Sequence, residues 1–588
     1  MNAAKALLEM LRLYRVTDVF GLPGETTLAL YRAWKDYPEI TYNMCRDERN
    51  SVFMADGYAK ATGRVGVCEG PSVGATHMIP GVAEAYAACV PMLVFTSDVA
   101  LDTTKKNMLT GFDQTAIFQG ITKETYTVTK GAEIPFLIRR AFRVASSGRP
   151  GPVHIRIPMD IFVQETAECE IFAQEQFSSF PGIRSSASNE DMRAAARAIA
   201  LSERPVMICG QGCAHSGAWE AVRATAERAG ILVGSTINAK GIFPETHDLS
   251  LGVVGARGGL EWSNRMVTDA DLLIFAGTST DSALTDGWKI PDPKSAPRAI
   301  QIDVAEQELG NNYRVLPLMG DARETLGGIL KFIPAETPPR TREWLDRAKR
   351  ERNKYAIRLA EFERALGDSL HPYAVSRILE RVAPDDAFFT FDPGISAVYP
   401  AAFLRFAKPG RRAAFNFAMG ALGYGIPSAI GAKVGLPDRK VIGITGDGSF
   451  GFSAGELETA VRLGLDITYI LFDNLSFGWI RGTEFVSGKS PLPPDYGRFT
   501  NFAPVDYLKI AEGFGIKGFR PDSARDFERI MKQCLCEPGA KLIAIASAPE
   551  DEQLPPVPGW YRYAQSAGLE NLYGAGNNAL CENSGGVM

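Results

Sequence analysis

The sequence predicts an α/β protein with three doubly wound parallel-sheet domains and a C-terminal tail. Short apolar segments typical of strands alternate with amphipathic helical patterns along most of the 588 residues. This alternation is typical of βαβ units around a parallel sheet. It stops near residues 164–189, which are rich in serine and proline, and again near residues 335–341. Three blocks remain, and a chain of this length is expected to form three or four domains.

The first two domains are predicted over residues 1–163 and 190–334. The predicted strands of the first domain are 16–20, 65–68, 92–96 and 153–157. Those of the central, Rossmann-like domain are 206–209, 272–276 and 299–302. Two of the central strands are followed by the turns Gly210-Gln211-Gly212 and Gly277-Thr278-Ser279. Such turns are weak evidence for a nucleotide site when they stand alone.

The third domain is predicted over residues 368–547, after a charged helical segment at 342–366. Its predicted strands are 387–391, 441–445, 467–472 and 542–546. The tail, residues 548–588, begins rich in proline and ends rich in glycine and asparagine. This composition is typical of a lid that closes over a site or of a disordered segment.

Composition excludes several classes of partner. The 63 lysines and arginines nearly balance the 68 aspartates and glutamates, so neither nucleic acid nor an anionic membrane is expected as the main partner. No apolar run reaches the roughly 18 residues that a membrane-spanning helix needs, and the N-terminus has no signal-peptide pattern. The nine cysteines are scattered without zinc-finger spacing. We therefore expect reduced thiols in a cytoplasmic protein.

The segment 441–456 carries the clearest chemical signal. A β-branched strand ends in Gly446-Asp447-Gly448-Ser449, and Ser453-x-x-Glu456 predicts a capping box before the next helix. The following strand ends in Asp473-Asn474. Polar residues at the carboxyl ends of two parallel strands mark the edge of the sheet at which ligands bind.

The residue types at this edge suit a magnesium-bound diphosphate. Asp447 and Asn474 offer the hard oxygen ligands that Mg²⁺ prefers. Gly448 and Ser449 expose backbone N–H groups that an anion can approach. A Gly-Asp-Gly sequence alone also fits an ordinary strand-to-helix turn. The spacing to Asn474 in a strand–helix–strand context is what makes the prediction specific.

These motifs resemble the thiamine-diphosphate fingerprint of the acetohydroxyacid synthase and pyruvate decarboxylase superfamily, and the resemblance extends over about residues 5–548. Its further motifs are Val19-Phe20-Gly21-Leu22-Pro23-Gly24, Glu48 with Asp56-Gly57-Tyr58-Ala59, Gly148-Arg149-Pro150-Gly151-Pro152-Val153, and Gly420-Ala421-Leu422-Gly423-Tyr424-Gly425-Ile426-Pro427. The resemblance implies a pyrimidine-binding first domain and a diphosphate-binding third domain. The central domain of such proteins holds FAD, ADP or nothing.

The resemblance also assigns roles to individual residues. It implies Mg²⁺ ligands at Asp447, Asn474 and the carbonyl of Ser476. Glu48 matches the carboxyl group that exchanges a proton with ring atom N1′ of the cofactor, and Leu422 matches the apolar wedge between the two cofactor rings. For Leu422, an ordinary core leucine is an equally good interpretation. The remaining cofactor-binding residues that it implies are Gly394, Ile395, Ser396, Gly420, Gly448, Ser449, Phe477, Gly478, Trp479 and Ile480.

Three further residues are candidates for the substrate pocket. Glu25 follows Pro23-Gly24 and is a candidate proton relay, although a carboxylate meeting a helix N-terminus is an equal alternative. His77 is one of five histidines and is either an acid/base group or a structural histidine. Arg481 can pair with a substrate carboxylate, but an ordinary surface arginine is the simpler interpretation.

The predicted function is that of a thiamine-diphosphate- and Mg²⁺-dependent decarboxylase or carboligase, similar to acetolactate synthase. It cleaves the C–C bond next to the carbonyl of a 2-oxo acid and either protonates the remaining fragment or transfers it to an acceptor carbonyl. The alternatives are a 2-hydroxyacyl-CoA or oxalyl-CoA lyase, a sulfoacetaldehyde acetyltransferase, a flavin-dependent pyruvate oxidase and a non-catalytic binding protein. Because sites in this family lie between two chains, the resemblance implies a homodimer or homotetramer.

Overall fold

The computed structural model describes residues 1–103, 106–166, 170–334, 341–487, 495–548 and 556–560. It contains three six-stranded sheets, in which all neighbouring strands are parallel. The predicted fold class, three parallel-sheet α/β domains, is confirmed. Most of the predicted tail and of the second predicted connection lie outside the described residues.

The first sheet has the strand order β2-β1-β3-β4-β6-β5. Its strands are β1 (Asp18–Gly21), β2 (Thr41–Met44), β3 (Gly66–Gly70), β4 (Met92–Asp98), β5 (Glu124–Thr127) and β6 (Pro152–Pro158). Its helices are α1 (Ala3–Leu13), α2 (Leu28–Trp34), α3 (Glu48–Thr62), α4 (Gly74–Ala87), α5 (Gln114–Phe118) and α6 (Ile134–Ser146).

The central sheet has the order β12-β11-β10-β7-β8-β9. Its strands are β7 (Pro205–Cys209), β8 (Leu232–Ser235), β9 (Ser250–Val253), β10 (Leu272–Ala276), β11 (Arg298–Asp303) and β12 (Val315–Met319). Its helices are α7 (Asn189–Leu201), α8 (Gln211–Ser216), α9 (Trp219–Ala229), α10 (Glu261–Thr268), α11 (Ser282–Thr285) and α12 (Ala322–Leu330). The long helix α13 (Arg342–Leu366) follows it.

The third sheet has the order β14-β13-β15-β16-β18-β17. Its strands are β13 (Phe388–Phe391), β14 (Ala413–Phe415), β15 (Val441–Gly446), β16 (Ile467–Asp473), β17 (Lys517–Phe519) and β18 (Lys541–Ala546). Its helices are α14 (Pro372–Val382), α15 (Ile395–Phe403), α16 (Gly425–Gly435), α17 (Asp447–Ser453), α18 (Glu456–Arg462), α19 (Gly478–Ser487), α20 (Tyr507–Gly513) and α21 (Ala524–Cys536).

The first and third sheets have the same topology, because their strand orders agree position by position. The equivalent helices α3 and α16 pack directly on each other, and glycines allow the close approach. A Cβ atom on Gly57 would overlap the Ser428 backbone, and one on Gly431 would overlap the Met54 carbonyl. Residues of both helices belong to one hydrophobic core. The two domains of a single chain are therefore joined through this helix pair.

The capping-box prediction at Ser453 is wrong. Helix α17 begins at Asp447 and ends at Ser453, and the side chain of Ser453 makes no capping hydrogen bond to α18. Glu456 instead accepts hydrogen bonds from the Arg46 amide and the Asn50 side chain, both at 2.9 Å. Its tertiary partners in the first domain therefore replace the local partner that the sequence pattern indicated.

Two findings concern the predictions about membrane-spanning helices and cysteines. Among the described residues, no helix combines the length and apolar character needed to cross a membrane. The cysteines within the described ranges are free thiols, namely Cys45, Cys68, Cys89, Cys209, Cys213, Cys534 and Cys536.

Candidate active site

A cavity of about 470 Å³ opens at the carboxyl ends of strands β13, β15 and β16. All the cofactor-binding residues predicted in the third domain line it. They are Gly394, Ile395, Ser396, Gly420, Leu422, Asp447, Gly448, Ser449, Asn474, Ser476, Phe477, Gly478, Trp479 and Ile480. The structure thus brings together side chains and backbone groups that are spread over almost 90 residues of sequence.

The three predicted metal ligands are in contact at the floor of this cavity. The carboxylate of Asp447 accepts hydrogen bonds from the backbone N–H groups of Asn474 at 3.2 Å and Ser476 at 3.3 Å. The side-chain oxygen of Asn474 accepts from the Ser476 N–H at 3.2 Å. Leu475, at a φ of 56°, makes the sharp turn between them. Burial raises the pKa of Asp447 to about 6. This desolvated carboxylate and the Asn474 amide oxygen accept from the same Ser476 N–H, and such oxygens are ligands that suit a hard divalent cation.

Three glycines leave room for a bound molecule along the cavity wall. A Cβ atom added to Gly394, Gly420 or Gly446 would meet no atom within 4 Å. Gly394 has a φ of 96°, which only glycine adopts readily. It is also the N-cap of helix α15, whose first two residues line the cavity and have N–H groups without a partner inside the helix. The wall therefore presents the open backbone surface that a diphosphate needs.

Two buried carboxylates that the sequence analysis did not single out hold the loop that carries Leu422. Asp392 accepts hydrogen bonds from the N–H groups of Gly423, Tyr424 and Gly425 at 2.8–3.0 Å. Burial raises its pKa. Because Asp392 directly follows strand β13, the strand-end rule that indicated Asp447 could also have found it.

The second carboxylate comes from the first domain. Glu84, which has no exposed surface, accepts hydrogen bonds from the N–H groups of Ala418, Met419 and Gly420 at 2.7–3.1 Å. Burial raises its pKa as well. Its partners lie more than 330 residues away, so no local sequence signal indicates this contact.

Glu48 lies at the N-terminus of helix α3 and is 5% exposed. Its carboxylate is 3.0 Å from Nδ1 of His77, whose side chain is 57% exposed. Gly74 is required beside it, because a Cβ there would lie 2.5 Å from the Glu48 carboxylate. The structure therefore brings together two of the residues predicted to be catalytic, one of them buried and one of them reaching solvent.

The predicted residues of the first domain do not share the cavity of the third domain in this single chain. Glu48, Glu25 and His77 are absent from its lining. Glu25 is exposed at the start of a short 3-10 turn. One chain thus carries two separate groups of predicted residues, one on each domain.

The charged lining of the cavity does not include Arg481, in line with its interpretation as an ordinary surface arginine rather than a partner for the substrate carboxylate. This side chain instead donates a hydrogen bond to Asn501 at 3.2 Å while lying over the Tyr496 ring. The cation that does line it is Arg257, from the central domain. Its guanidinium lies 4.8 Å from the centre of the Trp479 ring. Only the Gly-rich context of Gly255-Ala256-Arg257-Gly258-Gly259 marks this position in the sequence.

A second cavity, of about 280 Å³, lies on the central domain. Its lining includes Gln211 and Gly212 of the first glycine turn and all of the second turn, Gly277-Thr278-Ser279. Burial raises the pKa of Asp303, at the end of strand β11, to about 6. The Arg149 guanidinium forms an ion pair with Glu308 in the same wall. Phe417 and Ala418 line both cavities, so the two spaces share a wall.

Three stretches of the chain match models of known protein families. Residues 1–117 match the thiamine pyrophosphate enzyme N-terminal TPP binding domain, residues 192–329 the central domain and residues 392–545 the C-terminal TPP binding domain. Together these matches cover more than half of the chain.

Curated proteins similar to the chain are acetolactate synthases. The probable acetolactate synthase large subunit of Methanocaldococcus jannaschii is 32% identical over 578 residues, which covers 95% of this chain and 94% of that protein. The acetolactate synthase large subunit of Corynebacterium glutamicum is 32% identical, covering 90% and 83% respectively. That of Lactococcus lactis is 28% identical, covering 97% and 96%.

Proposed function

We propose that the protein is magnesium-dependent and joins two 2-oxo acids, because the chain belongs to the thiamine-pyrophosphate enzymes of the acetohydroxyacid synthase type. It is thus an acetolactate-synthase-like carboligase. One 2-oxo acid loses CO₂, and its remaining acyl carbon forms a C–C bond with the carbonyl carbon of the second. The acceptor oxygen takes up one proton, so one CO₂ is released and one proton is consumed. The observation that carries the proposal is the contact of Asp447, Asn474 and Ser476 at the floor of the cavity.

The residues of the third domain would hold the cofactor. Thiamine diphosphate supplies, when bound, the electron sink that C–C cleavage next to a carbonyl requires. Asp447, Asn474 and the Ser476 carbonyl would bind Mg²⁺, which would supply positive charge for the diphosphate. The open backbone at Gly394 and the N–H groups that follow it would receive the phosphate oxygens. Leu422, which lines the cavity, would be the apolar contact for the cofactor rings.

Glu48 and His77 would control one proton. The Glu48 carboxyl is buried and can hold a proton against the ring nitrogen of the cofactor. His77 touches Glu48 at 3.0 Å and reaches solvent. The pair therefore offers a short route by which that proton exchanges with water, without opening the site.

A complete site would need two copies of the chain. The proton-handling pair is on the first domain, whereas the cation-binding floor is on the third, and Glu48 does not line the cavity of its own chain. We therefore propose a homodimer, alone or within a homotetramer, in which Glu48 of each copy faces the cavity of the other. A twofold symmetric pair would form two such sites.

The second cavity is the proposed position of a bound nucleotide, either FAD or ADP. The glycine turns of its wall can approach a diphosphate closely, and Asp303 ends strand β11, a position from which acidic residues contact a ribose. A flavin would give the purified protein a visible yellow absorbance, whereas ADP would be released colourless on denaturation. Recovery of neither after purification under native conditions would remove this part of the proposal.

The experiment that tests the proposed function is product identification. The protein is incubated with pyruvate, thiamine diphosphate and Mg²⁺, and the products are identified by mass spectrometry. We expect acetolactate and one CO₂ for each two pyruvates, and loss of product when the metal is chelated. Asp447→Ala is the matched variant and should need a much higher cofactor concentration. Pyruvate turnover that yields only acetaldehyde or acetate would contradict the proposal.

A further inference from the structure

We propose that Glu69 is a positioning residue for the carboligation: a one-way chain of hydrogen bonds runs from its carboxylate to the turn that carries Glu25 and to the loop beside Glu48. This inference rests on the proposed function, because that function assigns a proton transfer to Glu48. Glu69 is 2% exposed and lies one residue before the end of strand β3. It therefore acts through its neighbours and does not touch the substrate.

The chain of hydrogen bonds begins at the Glu69 carboxylate and ends at a backbone amide. Thr27 donates to Glu69 at 3.0 Å, and its hydroxyl oxygen lies 2.8 Å from Ser97 Oγ. Ser97 Oγ lies 2.7 Å from Thr26 Oγ1, which accepts from the Ser72 N–H at 3.3 Å. All five residues are buried, so each polar group depends on its neighbours in the chain for a hydrogen bond.

The number of hydrogens fixes the direction of this chain when Glu69 is ionised. A carboxylate can accept hydrogen bonds but cannot donate one, so the hydrogen of Thr27 points to Glu69. Each hydroxyl has a single hydrogen, so Ser97 then donates to Thr27, and Thr26 donates to Ser97. The Ser72 N–H donates to Thr26. Every contact in the chain thus has one hydrogen, and all the donors point towards the carboxylate.

The protonated carboxyl group cannot support the same arrangement. Glu69 also accepts hydrogen bonds from Tyr31 at 2.9 Å and Tyr42 at 2.8 Å. A proton on Glu69 either stays without an acceptor or is donated to one of the three hydroxyl groups, which then loses the acceptor for its own hydrogen. Hydrogen bonds to an ionised carboxylate are also the stronger ones. The ionised form therefore holds Thr27, and with it the chain, more tightly.

The chain connects two segments beside the residues predicted to transfer protons. Thr26 and Thr27 belong to the 3-10 turn Glu25–Thr27, and Ser72 belongs to the loop that follows strand β3. Gly74, two residues after Ser72, lies against Glu48, because a Cβ atom there would be 2.5 Å from the Glu48 carboxylate. A shift of Ser72 therefore changes the space in which this carboxylate exchanges its proton.

Glu69 changes its charge near neutral pH. Burial raises its pKa to about 7, and the hydrogen bond from Tyr42 opposes this effect. The titratable groups that face it are Tyr31 on α2, Tyr42 on β2, Cys45 after β2, Cys68 on β3 and Glu48 on α3. Strand β4 contributes the neutral Ser97. No cation of the described chain forms an ion pair with Glu69, so its ionisation leaves a buried negative charge that the hydroxyl groups must stabilise.

The first measurement is the ratio of the kcat of the wild type to that of Glu69→Gln, determined across a range of pH. Glutamine keeps the shape of the side chain but does not ionise, and groups that titrate in both proteins cancel in the ratio. We expect the ratio to rise with pH by about threefold or more, with a midpoint near pH 7. A ratio that is the same at every pH would indicate a purely structural role and overturn the inference.

Tyr42→Phe identifies the group that titrates. This change removes a hydrogen bond that lowers the pKa of Glu69 and leaves the Thr27 contact in place. The ratio is now the kcat of Tyr42→Phe divided by that of the double variant with Glu69→Gln. We expect its midpoint to move to higher pH. A midpoint that stays in place or moves to lower pH would assign the pH dependence to another group and contradict the inference.

Ser97→Ala separates the chain from a direct effect of charge. It interrupts the chain while Thr27 keeps its contact with Glu69. In this background we expect Glu69→Gln to change kcat by the same factor at every pH. If the charge of Glu69 acted directly on Glu48, the pH dependence of the ratio would persist, and the chain would be rejected.

Ser146→Ala is the matched control for the removal of a buried hydroxyl. Ser146 is equally buried in the same domain, but it donates to the Phe142 carbonyl within helix α6. The pH-dependent ratio should remain in this background. Its loss would mean that any cavity in the domain abolishes the effect, and the role of Ser97 would be refuted.

The second measurement does not depend on turnover. Deuterium exchange of the Ser72 amide in the holoenzyme is followed by mass spectrometry, and wild type is compared with Glu69→Gln at each pH. We expect exchange in the variant to be faster by about threefold or more at about pH 8, and the difference to be smaller at about pH 6. Equal exchange in the two proteins at both pH values would overturn the inference.

The two measurements distinguish failure of the inference from failure of the proposed function. If wild type makes no carboligation product but Ser72 exchange depends on Glu69 and on pH, the proposed function fails and the hydrogen-bonded chain stands. If wild type forms acetolactate but neither the kcat ratio nor the exchange difference varies with pH, the inference alone fails.

Discussion

Glu48 is buried, and its carboxylate contacts the exposed side chain of His77 at 3.0 Å. A Cβ atom on Gly74 would lie 2.5 Å from this carboxylate, so the glycine leaves the room that Glu48 occupies. A carboxyl group in such a position can exchange a proton with a bound base and, through the histidine, with water. Its proposed role therefore concerns proton transfer and does not require it to hold the cofactor.

Replacing Glu48 by glutamine tests that role. We expect Glu48→Gln to lower kcat by about 10²- to 10⁴-fold, because the amide cannot exchange the proton, while the dissociation constant of thiamine diphosphate stays within a few-fold. Steady-state kinetics and cofactor titration measure the two quantities. Unchanged turnover would remove Glu48 from the mechanism, and a matching loss of affinity would make it a binding residue.

Glu69 is a further buried acid of the first domain, and it takes part in no proposed proton transfer. It accepts hydrogen bonds from the hydroxyl groups of Thr27, Tyr31 and Tyr42 at 2.8–3.1 Å. Burial raises its pKa from 4.5 to about 7, against the opposing effect of the Tyr42 hydrogen bond. The folded protein therefore holds this proton at pH values at which the unfolded chain has released it.

This difference predicts a stability that depends on pH. Because the folded pKa is the higher one, stability falls as the pH rises from about 4.5 to about 7 and then levels off. Glu69→Gln should remove this loss of stability. The free energy of unfolding of the variant minus that of the wild type should therefore be up to about 3 kcal/mol larger at pH 8 than at pH 4.5. Thermal unfolding of both proteins between pH 4.5 and 8 measures the difference. A constant difference across that range would show that Glu69 titrates normally.

At the scale of secondary structure, the contact between α3 and α16 depends on glycine. A Cβ atom on Gly431 would overlap the carbonyl of Met54, and both partners are backbone atoms that cannot move independently. The contact lies between the two domains that carry the two groups of predicted site residues. It therefore sets how the domains of one chain are arranged.

We expect Gly431→Ala to destabilise the protein by at least about 2 kcal/mol, because the helices must separate to admit the methyl group. Gly327→Ala is the control, since Gly327 lies in helix α12 and a Cβ there would meet nothing within 4 Å. The control should be stabilised by about 0.5–1 kcal/mol through its better helix propensity. Chemical unfolding of the three proteins gives the comparison, and equal stabilities would mean that the contact is not tight.

Strand position explains which elements the sequence revealed. Every internal strand except β8 was predicted, whereas none of the six edge strands was named. Internal strands of a parallel sheet are buried on both faces and form continuous apolar runs. Edge strands such as β5 and β17 are only partly buried, so their sequences resemble loops. The missed strand β8 is internal, but it is short and contains Gly234.

At the scale of the whole molecule, the proposed site requires two chains, and mixing two inactive variants tests this. In a dimer of one Glu48→Gln chain and one Asp447→Ala chain, one of the two shared sites has both changes and the other has neither. Random reassembly should therefore restore about a quarter of wild-type activity, because about half of the dimers are mixed and each has one intact site. The measurement is activity after the variants are dissociated together and reassembled.

Each variant carried through the same procedure alone is the control and should stay inactive. If Glu48 and Asp447 acted within one chain, no mixture would recover activity. A sedimentation experiment on the reassembled sample establishes that dimers have formed, so an inactive mixture of intact dimers would contradict the two-chain site.

By itself, the sequence determined the α/β class, the family and the residues that meet at the floor of the cavity in the third domain. These depend on contiguous apolar runs and on polar residues that directly follow adjacent strands, so local order in the chain carries the information. Only the tertiary structure decided that Arg257 rather than Arg481 enters the cavity, that Glu84 holds the loop before Leu422, and that Glu48 is separated from the cavity of its own chain. These placements follow from how distant segments pack, because packing brings together groups whose sequence separation carries no periodic or local signal.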